Sequence, residues 1–281
     1  MIDLHSHTNE SDGTCTPVEL VALAASIKLE ALAISDHDTF AGYNQAIEPA
    51  RAAGLDLVCA IELSAKTVGK RKRTAHILGY FLQDPPSGDF QAWLGGILAD
   101  RRDRNIRLIE KLQSMGVDIR LEEVERLGRT LTGRPHFARV LVEKGYVANS
   151  DEAFRKYLDE EAPGYVERHS PTVAVTVQHI NNAGGLPVLA HPVRLGIRDP
   201  KAEEDLIGEL VSEGLRGLEV YHSDHHPADV QRYAAIAKRY SLAVTGGSDF
   251  HGDIKPQIAL GTGWKGNLNV PKSVLETLRG R

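Results

Sequence analysis

Cysteine is almost missing from this chain of 281 residues: Cys15 and Cys59 are the only two. They form no CxxC pair, which excludes a disulfide framework and fits a reducing, cytoplasmic setting. Long apolar runs are missing too. No stretch approaches the ~18 unbroken apolar residues of a membrane helix, and no basic segment followed by an apolar core opens the sequence as in a secretion signal. A cytoplasmic protein with no membrane partner is expected. Excess positive charge is also lacking. With 33 Lys and Arg against 38 Asp and Glu, the net charge of −5 argues against a stable nucleic-acid complex. Two local basic runs, Lys70 to Arg73 and Arg101 to Arg107, read as a solvated hairpin tip and a charged helix face. There is no internal repeat or low-complexity segment, and nothing marks an oligomeric state.

What remains is ordinary for a globular protein, 42% hydrophobic and 25% charged. The length suits one large domain or a domain with an insertion. The unusual feature is histidine: 12 residues, several clustered with Asp.

Short apolar runs alternate with helical segments. Ile2 to Leu4 is a buried strand. Thr16, Pro17 and Glu19 form a capping box with proline in the first turn, so a helix starts there. "ALAIS" (31–35) is a strand, and 41–54 a helix that carries Pro49 and ends at Gly54. "LDLVCAIELSA" and "TAHILGYFL" are further strands. After a breaker cluster at 85–88, residues 90–168 read as helices near 92–114, 121–128, after Pro135 and 151–158. From 172 the alternation resumes, with strands "LPVLA", "GLEVY" and "LAVTG" and helices at 201–213, 227–239 and 271–279. Such alternation predicts parallel strands joined by crossovers in a barrel-like α/β domain. The helical insertion (85–169) divides the barrel into residues 1–84 and 170–281.

Chemistry on such barrels gathers where strands end. The first strand is followed by His5, His7 and Asp12, in "HSHTNESD". The second is followed by Asp36, His37 and Asp38. Glu62 lies at the end of the third and His76 in the fourth. His191 follows "LPVLA", Glu219 and His222 fall on and after "GLEVY", and Asp249 and His251 follow "LAVTG". A structural core gains nothing from concentrated imidazoles and acids, because burying them unpaired is expensive. Metal ions resolve the difficulty. In extended chain, residues i and i+2 face the same way, so His5 and His7 can grip one ion. His5, His7, Asp12, His37, Glu62, His76, His191, Asp249 and His251 are too many ligands for one ion and suit two or three, with Glu62 as the bridge. The mixed His and carboxylate set suits manganese, zinc or iron.

The motifs "DLHSHTNESDG", "ISDHDT", "IELSA", "HILGYF", "AHP" and "GGSDFHG", in this order over nearly the whole chain, resemble the PHP (polymerase and histidinol phosphatase) family. The resemblance implies a distorted (β/α)7 barrel with a trinuclear site, manganese foremost. One ion would take His5, His7, Glu62 and Asp249. A second would share Glu62 and add His76 and His191. A third would take Asp12, His37 and either Asp249 or His251, the family pattern favouring His251. "TGRPHFARVLVEKGYV" and "AHPVR" are similar to stand-alone phosphoesterases with a helical insertion. Those remove the 3′-phosphate of nucleoside 3′,5′-bisphosphates or trim the 5′ ends of short RNA; histidinol phosphate is a further candidate substrate. The implied chemistry is hydrolysis of a phosphate monoester by a metal-bridging hydroxide. Arg134, His136 and Arg194 are candidate phosphate contacts. His222 or His225 would protonate the leaving oxygen or contact the phosphate. Asp36 would orient the ring of His37, and His169 and His179 read as structural. Residues 157–170 are acidic where similar sequences are rich in glycine and lysine. The rival readings are an amidohydrolase, which also begins with HxH but commonly bridges its metals with a carboxylated lysine where this chain has Glu62, and a metal-stabilised binding module.

Overall fold

The computed structural model describes residues 1–68, 73–83, 85–86 and 88–280, so residues 70–72 of the first basic run lie outside the described residues. Seven strands form one sheet in chain order: β1 (Ile2–Asp3), β2 (Ala31–Ile34), β3 (Asp56–Lys66), β4 (Thr74–Phe81), β5 (Leu186–Leu189), β6 (Gly217–His222) and β7 (Ala243–Gly247). The Leu4 amide donates to the Gly246 carbonyl at 3.1 Å and the Asp249 amide to the His5 carbonyl at 2.9 Å, so the sheet nearly closes into a barrel.

The expectation of parallel strands throughout needs one correction. β4 runs antiparallel to both neighbours, and β3 and β4 form a hairpin in register from Cys59↔Phe81 to Lys66↔Thr74. The link between Lys66 and Thr74 is too short for a crossover, which takes a dozen or more residues. Glu62 therefore lies within a long β3, not at its end. β2 pairs with β3 only as far as Cys59, so Glu62 still clears the rim formed by the parallel strands.

Alternation along β3 explains which way Glu62 points. Cys59, Ile61 and Leu63 pack into the outer core against the helices. Val58 and Ala60 face the lumen with Leu4, Leu78, Tyr80 and Val188. Glu62 continues that inward row, as His76 does on β4.

The helices start and stop where local chemistry predicts. In α1 (Pro17–Ser26), the Glu19 amide donates to Thr16 Oγ1 at 3.2 Å and the Thr16 amide to Glu19 Oε2 at 2.8 Å. α2 (Ala41–Ala53) ends at Gly54, whose φ of 66° suits glycine. Pro49 removes the bond to the carbonyl of Gln45, an exposed residue.

The insertion holds α3 (Gly88–Ser114), α4 (Leu121–Glu125), α5 (Arg134–Glu143) and α6 (Ser150–Ala153), the last running into a π turn, Phe154–Leu158. No strand occurs among its described residues. Leu108, Leu112, Val124, Phe137 and Leu141 form a core of their own. The first turns of α3 instead send Phe90, Leu94 and Ile97 into the outer core of the barrel. Each buried apolar side chain contributes about 1.5–3 kcal/mol, so this helix anchors the insertion. α7 (Val173–Asn182), α8 (Pro200–Ser212) and α9 (Pro227–Arg239) cover the later strands, and α10 (Lys272–Arg279) closes the floor with Val274, Leu275 and Leu278. A small hairpin, β8 (Ile258–Ala259) and β9 (Gly263–Trp264), lies between β7 and α10.

Candidate metal centre

The nine acids and imidazoles meet in one place. Glu62 is the hub. Its Oε2 lies 3.3 Å from His5 Nε2, 3.2 Å from His7 Nε2 and 3.3 Å from His37 Nδ1. Its Oε1 lies 2.8 Å from His76 Nδ1 and 2.9 Å from His191 Nε2. Asp249 Oδ1 faces the same side, 3.5 Å from His5 Nε2 and 3.3 Å from His7 Nε2. Asp12 closes the outer side, with Oδ1 3.3 Å from His251 Nε2 and Oδ2 3.7 Å from His37 Nε2. His7 Nδ1 also lies 3.7 Å from Asp12 Oδ1, so His7 faces two groups of donors.

Backbone geometry is strained to achieve this. His191 and Asp249 have φ of 25° and 57°, and left-handed conformations at non-glycine residues cost about 1–3 kcal/mol each. Gly247 is required at the seam, because a Cβ there would lie 2.3 Å from the His5 amide nitrogen.

The donor set fits divalent cations. His5 Nε2, both ring nitrogens of His7 and His37 Nδ1 are buried without a hydrogen-bond partner. Buried polar atoms left in that state are costly, and a cation that accepts imidazole lone pairs between the carboxylates removes the cost. The charges already lean on one another. Burial opposes ionisation of His5, but Glu219 and Glu62 outweigh it and hold the imidazole well above its ordinary pKa. His7 is raised to about 9 against burial by Asp249 and Glu62. Burial, reinforced by Arg194, pushes His191 down to about 3. Burial works against the charge of Glu62, but His76, His37 and His5 hold it well below the usual carboxylate range.

Glu219 is absent from the ligand set read from the sequence, yet it matters. It is fully buried, with Oε1 2.9 Å from His5 Nδ1, and its Oε2 accepts the His191 amide at 2.6 Å. A carboxylate only accepts, so His5 Nδ1 carries a proton, and Nε2 is left as the nitrogen that would give its lone pair to a cation. The signal was in "GLEVY": Leu218 and Val220 pack outward, which turns Glu219 into the lumen.

Several expectations are corrected. Asp36 does not orient His37. Its Oδ1 accepts the Thr8 amide at 2.7 Å and Ser11 Oγ at 2.5 Å, and its Oδ2 accepts Thr8 Oγ1 at 2.6 Å, so it braces the loop that carries Asp12. His136 is buried, and its Nδ1 accepts the Gly133 amide at 3.0 Å, which caps α5 instead of facing the cavity. His225 is buried behind His222, with Nδ1 donating to the Val220 carbonyl at 2.9 Å and its ring against Tyr233. His222 is closed off as well. Its Nδ1 accepts the Asp224 amide at 3.0 Å, and its Nε2 lies 3.8 Å from Asp249 Oδ2. Neither ring lines the cavity above the cluster. His179, read as structural, stacks on Trp93 with centroids 4.2 Å apart.

That cavity holds about 490 Å³. Asp12, His37, Glu62, His76, Asp249 and His251 form its floor, and its walls carry Lys66, Arg101, Arg104, Arg134, Arg168, Arg194 and Lys255. The reading of 101–107 as a solvated face is overturned for Arg101 and Arg104. They share a face of α3 with Leu108 and Leu112, so the leucine stripe continues as arginine towards the cluster, while Arg102 and Arg107 point outward. Arg194 Nη1 lies 2.8 Å from Asp249 Oδ2 and its Nε donates to Asp224 Oδ2 at 2.7 Å. Lys255 Nζ lies 2.8 Å from Asp249 Oδ2. Arg134 donates to the Leu158 carbonyl at 3.1 Å, between the rings of Phe154 and Tyr165.

Comparison with known proteins follows the same line. A family model described as PHP domain matches residues 3–159. A 3′,5′-nucleoside bisphosphate phosphatase of Chromobacterium violaceum is 34% identical over 89% of this chain and 87% of its own. A 5′-3′ exoribonuclease of Haemophilus influenzae is 32% identical over 89% of each. A solved structure of a candidate metal-dependent phosphoesterase from Bifidobacterium adolescentis superposes with a TM-score of 0.83 at 31% identity, covering 98% of this chain and 94% of that one.

Proposed function

The chain belongs to the PHP family, and on that premise we propose that it is a metal-dependent phosphatase that removes the 3′-phosphate of nucleoside 3′,5′-bisphosphates. The observation that carries this reading is one cavity with a carboxylate–imidazole cage at its floor and a guanidinium wall above it.

His5, His7, Glu62 and Asp249 would hold one divalent ion. Glu62, His76 and His191 would hold a second, and Asp12, His37 and His251 a third, with manganese the first choice. Bound there, the ions supply a water activated near neutral pH and neutralise charge on the phosphoryl oxygens. The protein's own part is positioning. Glu219 fixes the tautomer of His5, and Asp36 holds the Asp12 loop. Arg194 and Lys255, both on Asp249 Oδ2, stand beside the floor where phosphoryl oxygens would lie.

The wall supports a second phosphate. Arg101 and Arg168 share one carboxylate, Asp38. Arg104 is buried, its Nε has no hydrogen-bond partner, and among the described residues no carboxylate pairs with it. Burial first, then the charges of Arg101, Arg134 and Arg168, press its pKa downward. A phosphate dianion meets the forked donors of such a wall and offsets its charge.

One observation favours a second reading, trimming of short RNA from its 5′ end. A further cavity of about 380 Å³ adjoins the first through Arg101 and Leu131 and carries Arg102 and Arg129, room for a chain longer than one nucleotide.

The test is a substrate panel with metal-replete protein: adenosine 3′,5′-bisphosphate, AMP, 5′-phosphorylated short RNA, histidinol phosphate and a set of amides. Phosphate release fastest from the bisphosphate is expected. Mononucleotide release from RNA at a higher rate selects the second reading, and amine release from the amides overturns both.

A further inference from the structure

We propose that the helical insertion clamps the outermost of the three ion positions, the one between Asp12, His37 and His251, through two acidic residues that sit beside its ligands. The inference rests on the metal reading given above. The first clasp is Glu10, two residues before Asp12. Glu10 is buried, its Oε2 accepts Thr130 Oγ1 at 2.6 Å, and its Oε1 lies 3.6 Å from Arg129 Nη1. Thr130 belongs to a braced stretch: Asn105 of α3 donates to the Thr132 carbonyl at 2.9 Å, and Thr132 Oγ1 to the Gly128 carbonyl at 3.3 Å. On the barrel side, the Ser11 and Gly13 amides both donate to the Thr8 carbonyl, at 3.2 and 2.9 Å, so the 8–13 loop is a tight turn. A shift of Glu10 is therefore transmitted to Asp12.

The second clasp is Asp38, next to His37. It is fully buried with φ of 52°, and its amide donates to the Glu62 carbonyl at 3.0 Å. Its carboxylate is held by Arg101 from α3 and by Arg168, 3.1 Å away, from the segment where the chain leaves the insertion. The middle of α3 and the exit of the insertion thus converge on the residue after His37. The inner positions are braced differently. His5 and His191 are tied by Glu219, and the ends of β1 and β7 by Asp3, which accepts the His5 and Ser248 amides. Among the described residues, hydrogen bonds from the insertion reach the neighbours of Asp12 and His37 and, on β3, the Ser64 carbonyl at 3.4 Å and Lys66 at 2.6 Å, but none reaches a neighbour of His5, His191 or Asp249.

Thr130 and Glu10 are positioning residues, and their effect is read as ion count and affinity. The wild-type chain, Thr130→Val and Thr130→Ser are each dialysed against limiting manganese. Bound metal is counted by mass spectrometry, manganese affinity is titrated calorimetrically, and melting curves confirm folding. Thr130→Val is expected to bind one equivalent less than the wild type, with the weakest manganese step lowered by about 10-fold or more and the tighter steps unchanged. Thr130→Ser, which keeps the hydroxyl, is expected to match the wild type. Arg168→Gln tests the other clasp independently and is expected to lose the same equivalent. Equal counts and affinities in all four proteins overturn the inference, as does a loss of all ions together. A wild type that takes up no more than the inner ions overturns it while leaving the metal reading standing; a wild type that takes up none removes both.

Discussion

Glu219 and His5 face each other inside the barrel, both fully buried, with 2.9 Å between Glu219 Oε1 and His5 Nδ1. This contact sets which imidazole nitrogen can bind a cation. Glu219→Gln keeps the shape but not the charge. Loss of an outer partner of this kind typically costs 10–100-fold in metal affinity, so manganese titration of the variant is expected to show a drop of about that size. Unchanged affinity would remove the role given to Glu219.

Arg104 lines the cavity above the cluster and, on the proposed function, would meet the phosphate that is not cleaved. Hydrogen bonds to charged groups contribute about 1.5–3 kcal/mol. Arg104→Leu is therefore expected to raise KM for a 3′,5′-bisphosphate by about 10-fold or more, with a much smaller change for a monophosphate. Steady-state kinetics on the two substrates checks this. Equal losses on both would move Arg104 from recognition to structure.

His136 caps a helix, so its loss should register in stability. His136→Ala removes a capping acceptor, worth about 0.5–2 kcal/mol, together with a buried ring, while His136→Asn can still accept the Gly133 amide. Chemical denaturation is expected to rank wild type, then Asn, then Ala, with kcat/KM of the folded proteins nearly constant. A fall in kcat/KM without loss of stability would return His136 to the phosphate.

Glu30 links the first strand to the last helix. Its Oε2 lies 2.6 Å from Lys272 Nζ and its Oε1 2.7 Å from the α-amino group of Met1, and these partners hold its pKa at about 2. The folded value lies below the ordinary carboxylate value. The contribution is therefore present above the ordinary range and lost as pH falls towards 2. Acid-unfolding curves of wild type and Glu30→Gln are expected to differ near neutrality and converge at low pH. Curves parallel at every pH would show that the link contributes nothing through its charge.

The parts of the fold legible from sequence were those fixed by local chemistry. The Thr16–Glu19 box, the stop at Gly54 and the strand runs around "ALAI", "LPVL" and "AVTG" all form where the residues dictate. The direction of β4 depended on the length of the Lys66–Thr74 link, which periodicity does not report. Most of the candidate ligands could be read because they follow strands, whose ends share one rim in a barrel; Glu62 and His76 lie within β3 and β4. What was missed depended on distance along the chain. Asp36 reaches back to Thr8, and Arg101 and Arg104 are carried to the site by an insertion whose docking no local pattern encodes; His136 is the local exception, turning onto Gly133 three residues before it. Glu219 and the leucine–arginine face of α3 did leave a periodic trace.

The decisive measurement is the anomalous difference density of crystals grown with manganese. Peaks are expected inside the cage, one between His5, His7 and Asp249, one beside His76 and His191, and one between Asp12, His37 and His251, with Glu62 between the first two. Protein that hydrolyses the bisphosphate in manganese yet shows no peak within reach of Glu62 would contradict the assignment of the chemistry to this cluster.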